Sequence, residues 1–202
     1  MWQKNIFDLT ESKIKEAEPS LVLTGRKENV SIIAIKTDGK LNEIREIIKK
    51  NRGAYYSSES YLLGIFSSLT TKTFSNEIIA VRTGQEISTM LGKNNKKMKE
   101  KINYGIGINN GELILSKEEK IKFTAIGNTI SLARKIAEIA DNEFLVRENI
   151  RNKLANLKVE KTEKRGITAF KVKGIVEREK HEKFIQGFLK RQINNKQNEY
   201  PK

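Results

Sequence analysis

Cysteine is absent from the 202-residue sequence, and histidine occurs once. Without thiols there can be no disulfide and no thiolate metal site, and the lone imidazole of His181 excludes any centre that needs two from one chain. Zinc-hydrolase chemistry is thereby ruled out. A Ser-His-Asp arrangement would have to use His181, which lies in the charged stretch EREKHEKF with no nucleophile motif beside it, so it reads as a solvated helix residue. No apolar run approaches the roughly 20 residues needed to cross a bilayer, and the opening MWQKNIFDLTESKIKE is too charged for the core of a secretory signal. The chain therefore reads as cytoplasmic. Trp2, Ile6, Phe7, Leu9 and Ile14 can continue a helix arriving from elsewhere, which leaves room for a missing upstream segment or a partner that brings the chain to a membrane.

What the sequence has in excess is positive charge: 39 Lys and Arg against 25 Asp and Glu, a formal net charge of +14. Lysine and arginine neutralise phosphates, so nucleic acid has to be considered. The lysines are spread through the whole chain, however, and the densest run, KNNKKMKEK at 93–101, has no aromatic side chains among it on which bases could stack. It reads as a solvated helix end and loop. The expectation is that nucleic acid is not the partner, while the positive potential still suits anionic ligands, membrane surfaces or acidic proteins.

Apolar patterning divides the chain into a polar lead-in over 1–28, one main domain over 29–175 and a basic amphipathic tail over 176–202. VSIIAI (30–35) is a continuous β-branched run, as expected of a strand buried on both faces, and Asp38-Gly39 ends it. Leu41, Ile44, Ile47 and Ile48 have helical spacing; AYYSSESYLLGIF reads as a hairpin around 57–60, and 75–91 as a second helix. Asn109-Asn110-Gly111 is a tight-turn signal that predicts two strands, 103–109 and 111–115. A short strand, a turn at Gly127, a helix, a strand over 144–146, a helix over 148–155 and a hairpin over 157–173 follow. Strands alternating with helices on one sheet argue for an α/β or α+β arrangement.

Two stretches carry more than patterning: INYGIGINNGEL at 102–113 and FTAIGNTISLARKIAEIA at 123–140. Together they resemble the core of class III adenylate/guanylate cyclase catalytic domains. That family has Gly-x-Asn-x-Gly-Glu on a strand, then Tyr-Thr-x-x-Gly-Asp-x-Val-Asn-x-Ala-x-Arg-Leu. Gly107, Asn109, Gly111 and Glu112 match, then Phe123, Thr124, Gly127, Ile130, Leu132, Ala133 and Ile136. VSIIAI, the AYYSSESYLLGIF hairpin, NEFLVRENI and KRGITAFKV fall in the family's order, so the resemblance covers about 26–173. It implies an α+β sandwich of ferredoxin-like topology, with a mostly antiparallel sheet flanked by helices.

The chemistry that the resemblance implies is attack of a ribose 3′ hydroxyl on an α-phosphate, with two aspartates holding two metal ions. Those aspartates fall at Lys36 and Tyr61. The family's asparagine and transition-state arginine fall at Ser131 and Lys135; lysine keeps the charge but lacks the bidentate fork. Sliding the register by one would put Arg134 in the arginine position, at the cost of Ile130 and Ala133. Thr124 stands where a threonine meets the purine edge, Ser57 replaces its usual lysine partner, and Arg165 occupies the Lys-Gly position that can meet a phosphate.

The implied reading is a catalytically degenerate cyclase-like domain with no cofactor, a pseudoenzyme serving as a signalling or assembly module, as a homodimer or paired with another cyclase-like chain. The alternative is an active nucleotidyl cyclase, making a cyclic nucleotide from ATP or GTP. It would use Mg²⁺ or Mn²⁺ on an offset pair, Asp38 and Glu59, together with Thr124 and Lys135. Beyond the resemblance, Phe184, Ile185, Phe188, Leu189 and Ile193 form one apolar stripe flanked by Lys183, Lys190 and Arg191. Residues 176–197 either pack back on the domain, or dock on a partner protein or an anionic membrane surface.

Overall fold

The computed structural model describes residues 26–57, 60–117, 121–125 and 128–176. Its elements run β1 (Arg26–Thr37), α1 (Leu41–Lys50), β2 (Ala54–Ser57), β3 (Leu62–Phe66), α2 (Ser68–Thr71), α3 (Asn76–Lys97), β4 (Tyr104–Lys117), β5 (Ile121–Ala125), α4 (Thr129–Ile139), β6 (Glu143–Val146), α5 (Glu148–Lys153), β7 (Leu157–Lys164) and β8 (Ile167–Ile175). All the strands join one sheet in the order β2-β3-β1-β4-β6-β8-β7, with β5 paired to β4 off that path. Among the described residues only the β4–β6 pairing is parallel, which gives the mostly antiparallel α+β sandwich the sequence implies.

Strand β1 shows why VSIIAI is apolar but for one small hydroxyl: every residue from Val30 to Ile35, Ser31 included, is buried, with a helical layer on each face of the sheet. Ile33 and Ile35 pack with Ile44 and Ile48 of α1 and with Ala80, Val81 and Ile87 of α3. Val30, Ile32 and Ala34 pack with Ile130, Ala133 and Ala137 of α4. Alternate strand residues face opposite sides, so Lys36 continues the series that looks toward α4.

The expected turn at Asn109-Asn110-Gly111 is not there. These residues lie inside the 14-residue β4, where Ile32 is opposite Asn109, Ser31 opposite Asn110 and Val30 opposite Gly111. Two interactions explain why turn-forming residues occupy a central strand. Asn109 is buried, and its Nδ2 donates to the Thr129 carbonyl at 2.8 Å, anchoring the start of α4. A Cβ on Gly111 would come within 2.5 Å of the Thr129 side chain, so the glycine marks close packing rather than a reversal. Elsewhere among the described residues the expected strands and helices form, with α3 reaching Lys97, beyond the expected end at 91; the expected turn at Gly127 and the apolar stripe of the C-terminal tail lie outside the described residues.

The same constraint is stronger at the other end of β4. A Cβ on Gly105 would lie 2.1 Å from the carbonyl oxygen of Ala137, and one on Gly107 2.4 Å from that of Ala133. These are backbone atoms that no rotamer change can move. Gly105→Ala is expected to cost about 3 kcal/mol or more by overpacking. Gly92→Ala in α3, where the nearest atom would be 4.0 Å away, is expected to gain roughly 0.5–1 kcal/mol. Urea unfolding of the two variants checks both signs.

Candidate functional site

The pairing of β1 with β3 ends at Ile35 and Leu62, and the residues just beyond this pair on the two strands are Lys36 and Tyr61. Leu63 and Ile65 belong to the core under α4, so Tyr61 shares their side of the sheet, as Lys36 does. From the last turn of α4, Glu138 reaches both. Lys36 Nζ donates to Glu138 Oε1 at 2.7 Å, and the Tyr61 hydroxyl donates to Glu138 Oε2. Arg134, one turn earlier on the same helix, sits over the Tyr61 ring with its Cζ 4.7 Å from the centroid, a cation–π contact.

Lys36 and Glu138 edge a cleft of about 600 Å³ formed where β1 and α4 end and β4 begins, with Asp38, Asn103, Asp141 and Arg165 also on its walls. The hydrogen bonds from Lys36 and then from Tyr61 hold the Glu138 carboxyl below the usual glutamate range, and the nearby Lys36 and Arg165 charges act the same way. Burial first, then the bond to Glu138, pushes the Tyr61 phenol up to about 12. Near neutral pH the cluster therefore holds a carboxylate, an ammonium and an un-ionised phenol.

The other expected site residues are dispersed. Asp38 accepts hydrogen bonds from the Asn103 backbone N–H at 3.0 Å and from its Nδ2 at 3.1 Å, tying the end of β1 to the start of β4. Glu59 lies outside the described residues. Thr124 is in β5 with its backbone opposite Ile114, and its side chain is likewise outside the description. Ser131 Oγ donates to the Asn128 carbonyl within its own helix turn, and Lys135 is exposed. Arg165 is at the β7–β8 hairpin tip in a left-handed conformation (φ 50°), within the cleft. Ser57 accepts from Arg45 Nη2 at 3.1 Å. Among the described residues no group of three or more His, Cys, Asp or Glu side chains is placed to hold a metal ion.

Sequence reasoning singled out Lys36 and Tyr61 but missed Glu138 and passed over Arg134. A signal was available. A lysine where a metal ligand is expected calls for a counter-charge, and Glu138 lies four residues after Arg134, on the same stripe of a helix that the pattern packs against that strand.

No family model matches the sequence, and no curated protein matches it. Solved structures do. The chain is similar to the guanylyl cyclase Cya2, with 16% identity, 77% of this chain and 96% of that chain covered, and a TM-score of 0.62. It is similar to the dimeric guanylyl cyclase domain of the RhoGC fusion protein from the aquatic fungus Blastocladiella emersonii, with 14% identity, 76% and 98% covered, and a TM-score of 0.60. The adenylyl cyclase CyaB from P. aeruginosa gives 13% identity, 78% and 98% covered, and a TM-score of 0.60. The described domain thus has the fold of adenylyl and guanylyl cyclase catalytic domains.

The cluster makes a titration prediction. Of five tyrosines in the sequence, Tyr56 is pushed to about 12 by burial and Tyr61 to about 12 by burial and Glu138. Absorbance at 295 nm should show two late ionisations, and Tyr61→Phe should remove one. Because the folded Tyr61 pKa is raised, its contribution to stability is complete below the ordinary tyrosine value of about 10 and is lost as pH rises toward 12. Glu138 has the opposite sign: its contribution is present above the ordinary glutamate range and is lost as pH falls through its lowered pKa.

Proposed function

We propose that this chain is a cyclase-fold domain without cyclisation chemistry that serves as a signalling or assembly module. The observation that carries the proposal is the bonding of Glu138 by Lys36 and Tyr61, the two positions at which the resemblance puts metal-binding aspartates. Magnesium and manganese need oxygen ligands, several of them anionic. Here an ammonium and a neutral phenol hold the Glu138 carboxylate, Asp38 is engaged with Asn103, and Asp141 accepts from Asn142. These residues do not fit a divalent ion. Without the ions, nothing in the cluster activates a ribose hydroxyl or spreads charge from a reacting phosphate.

Lys135 would have to supply the transition-state contact by itself, and a lysine cannot reproduce an arginine's bidentate fork. What such a domain retains is its surface. Pairing with a second copy, or with another cyclase-like chain, is the assembly that this reading favours, and a dimeric cyclase domain is among the structures it is similar to. In such a pair the chain would contribute neither metal ligands nor the arginine.

Incubation of the purified chain with ATP or GTP and Mg²⁺ or Mn²⁺ is expected to yield no cyclic nucleotide, and sedimentation through the micromolar range is expected to show self-association or, with a cyclase-like partner, a mixed complex. Cyclic AMP or cyclic GMP formation that disappears in Asp38→Ala or Glu59→Ala would establish the offset-metal alternative instead.

A further inference from the structure

On the opposite face of the sheet from Glu138, helix α3 and the end of strand β8 meet along a line that their side chains leave open. A Cβ on Gly174 of β8 would find, among the described residues, only Gln85 Nε2 of α3, and that 4.0 Å away. From Gln85 the same flank of α3 continues at helical spacing through Ser88 and Gly92, both half-buried. The apolar residues beside this line are incompletely covered. Val159, Val172 and Ile175 pack against the α1–α3 core but are only half-buried, and Val176 is 41% exposed. The isoleucines of β1 on the same face are fully enclosed.

The chain itself leaves the sheet at this place. The Val176 N–H donates to the Asn156 carbonyl at 2.8 Å and Asn156 Nδ2 donates to the Val176 carbonyl at 3.3 Å, which fixes the point of departure. Phe184, the first residue of the C-terminal apolar stripe, follows eight positions later. That connection spans at most about 26 Å when extended, and Gln85 to Lys97 of α3 covers roughly 18 Å, so the stripe is within reach of the whole open line. Charge argues against a lipid surface as the occupant. Glu177, Glu179 and Glu182 precede the stripe, so its cations are interrupted by acids and do not form the run of roughly four to eight that holds a segment on anionic lipid. A separate protein is at a disadvantage as well, because a short tether presents the chain's own surface at an effective concentration of order millimolar.

We propose that residues 184–193 fold back onto their own domain as an amphipathic helix whose apolar stripe covers Val172, Gly174 and Val176 beside the Gln85–Gly92 flank of α3. The tail is then part of the fold, and its stripe is withdrawn from the surface on which partners assemble. The assignment is independent of whether the domain cyclises nucleotides or pairs with another chain.

Because the sequence has no cysteine, one nitroxide can be attached to the full-length ¹⁵N-labelled chain through Thr89→Cys, an exposed position of α3. The amide signals of residues 184–193 are expected to be lost by paramagnetic broadening and to return when the nitroxide is reduced. Phe184→Ser combined with Phe188→Ser should restore them with the nitroxide still active, while the signals of β1 and β4 stay in place. A dilute mixture of ¹⁵N-labelled chain without nitroxide and unlabelled chain carrying it should show no broadening of the tail. Full tail intensity in the first sample would overturn the proposal, as would broadening that survives the double serine variant, which tethering alone explains. Equal broadening in the mixture would place the tail on a second copy, and a tail whose amides respond only to added phosphatidylserine vesicles would place it on lipid; either result contradicts the proposal.

Discussion

Helix α4 lies against β4 with no side chain between them at Gly105 and Gly107, where even a methyl group would meet the helix backbone carbonyls within about 2.4 Å. This contact sets the depth at which the helix sits. Asn109 fixes its start through the Thr129 carbonyl, and the strand glycines let its later turns approach the sheet. With the helix at that depth, Glu138 in its last turn arrives level with the ends of β1 and β3. The cluster with Lys36 and Tyr61 is thus a consequence of backbone packing at Gly105, the residue directly opposite Lys36.

Magnitudes separate the structural role of this cluster from its chemical one. Lys36 and Glu138 are 47% and 41% exposed, so solvent screens their pairing, and exposed pairs of this kind contribute about 0–1 kcal/mol. The cluster is therefore not what holds the domain together; the isoleucine-rich layers on either side of β1 do that. Its consequence is electrostatic. It commits the nearest carboxylate to an ammonium and keeps a phenol protonated in a position where divalent-ion chemistry needs anionic oxygens.

Much of this was legible in the residue pattern, because burial leaves a direct trace in sequence. VSIIAI had to be a two-face strand, and the spacing of Ile44 and Ile48 had to be one face of a helix. Asn109-Gly111 was misread because asparagine and glycine signal a turn by local propensity, and the tertiary demands that overrode it lie some twenty residues away at Thr129. Glu138 was missed for a related reason. It matches no motif, and its meaning depends on Lys36, 102 positions earlier in the chain.

The central claim is that Lys36, Tyr61 and Glu138 satisfy one another and leave no place for a divalent ion. Paramagnetic broadening tests it directly: Mn²⁺ added to the ¹⁵N-labelled chain at substoichiometric levels should leave the amide signals of residues 36–38, 61 and 138 as sharp as those of the sheet interior. Selective, saturable loss of those signals, reversed by excess Mg²⁺, would contradict the account.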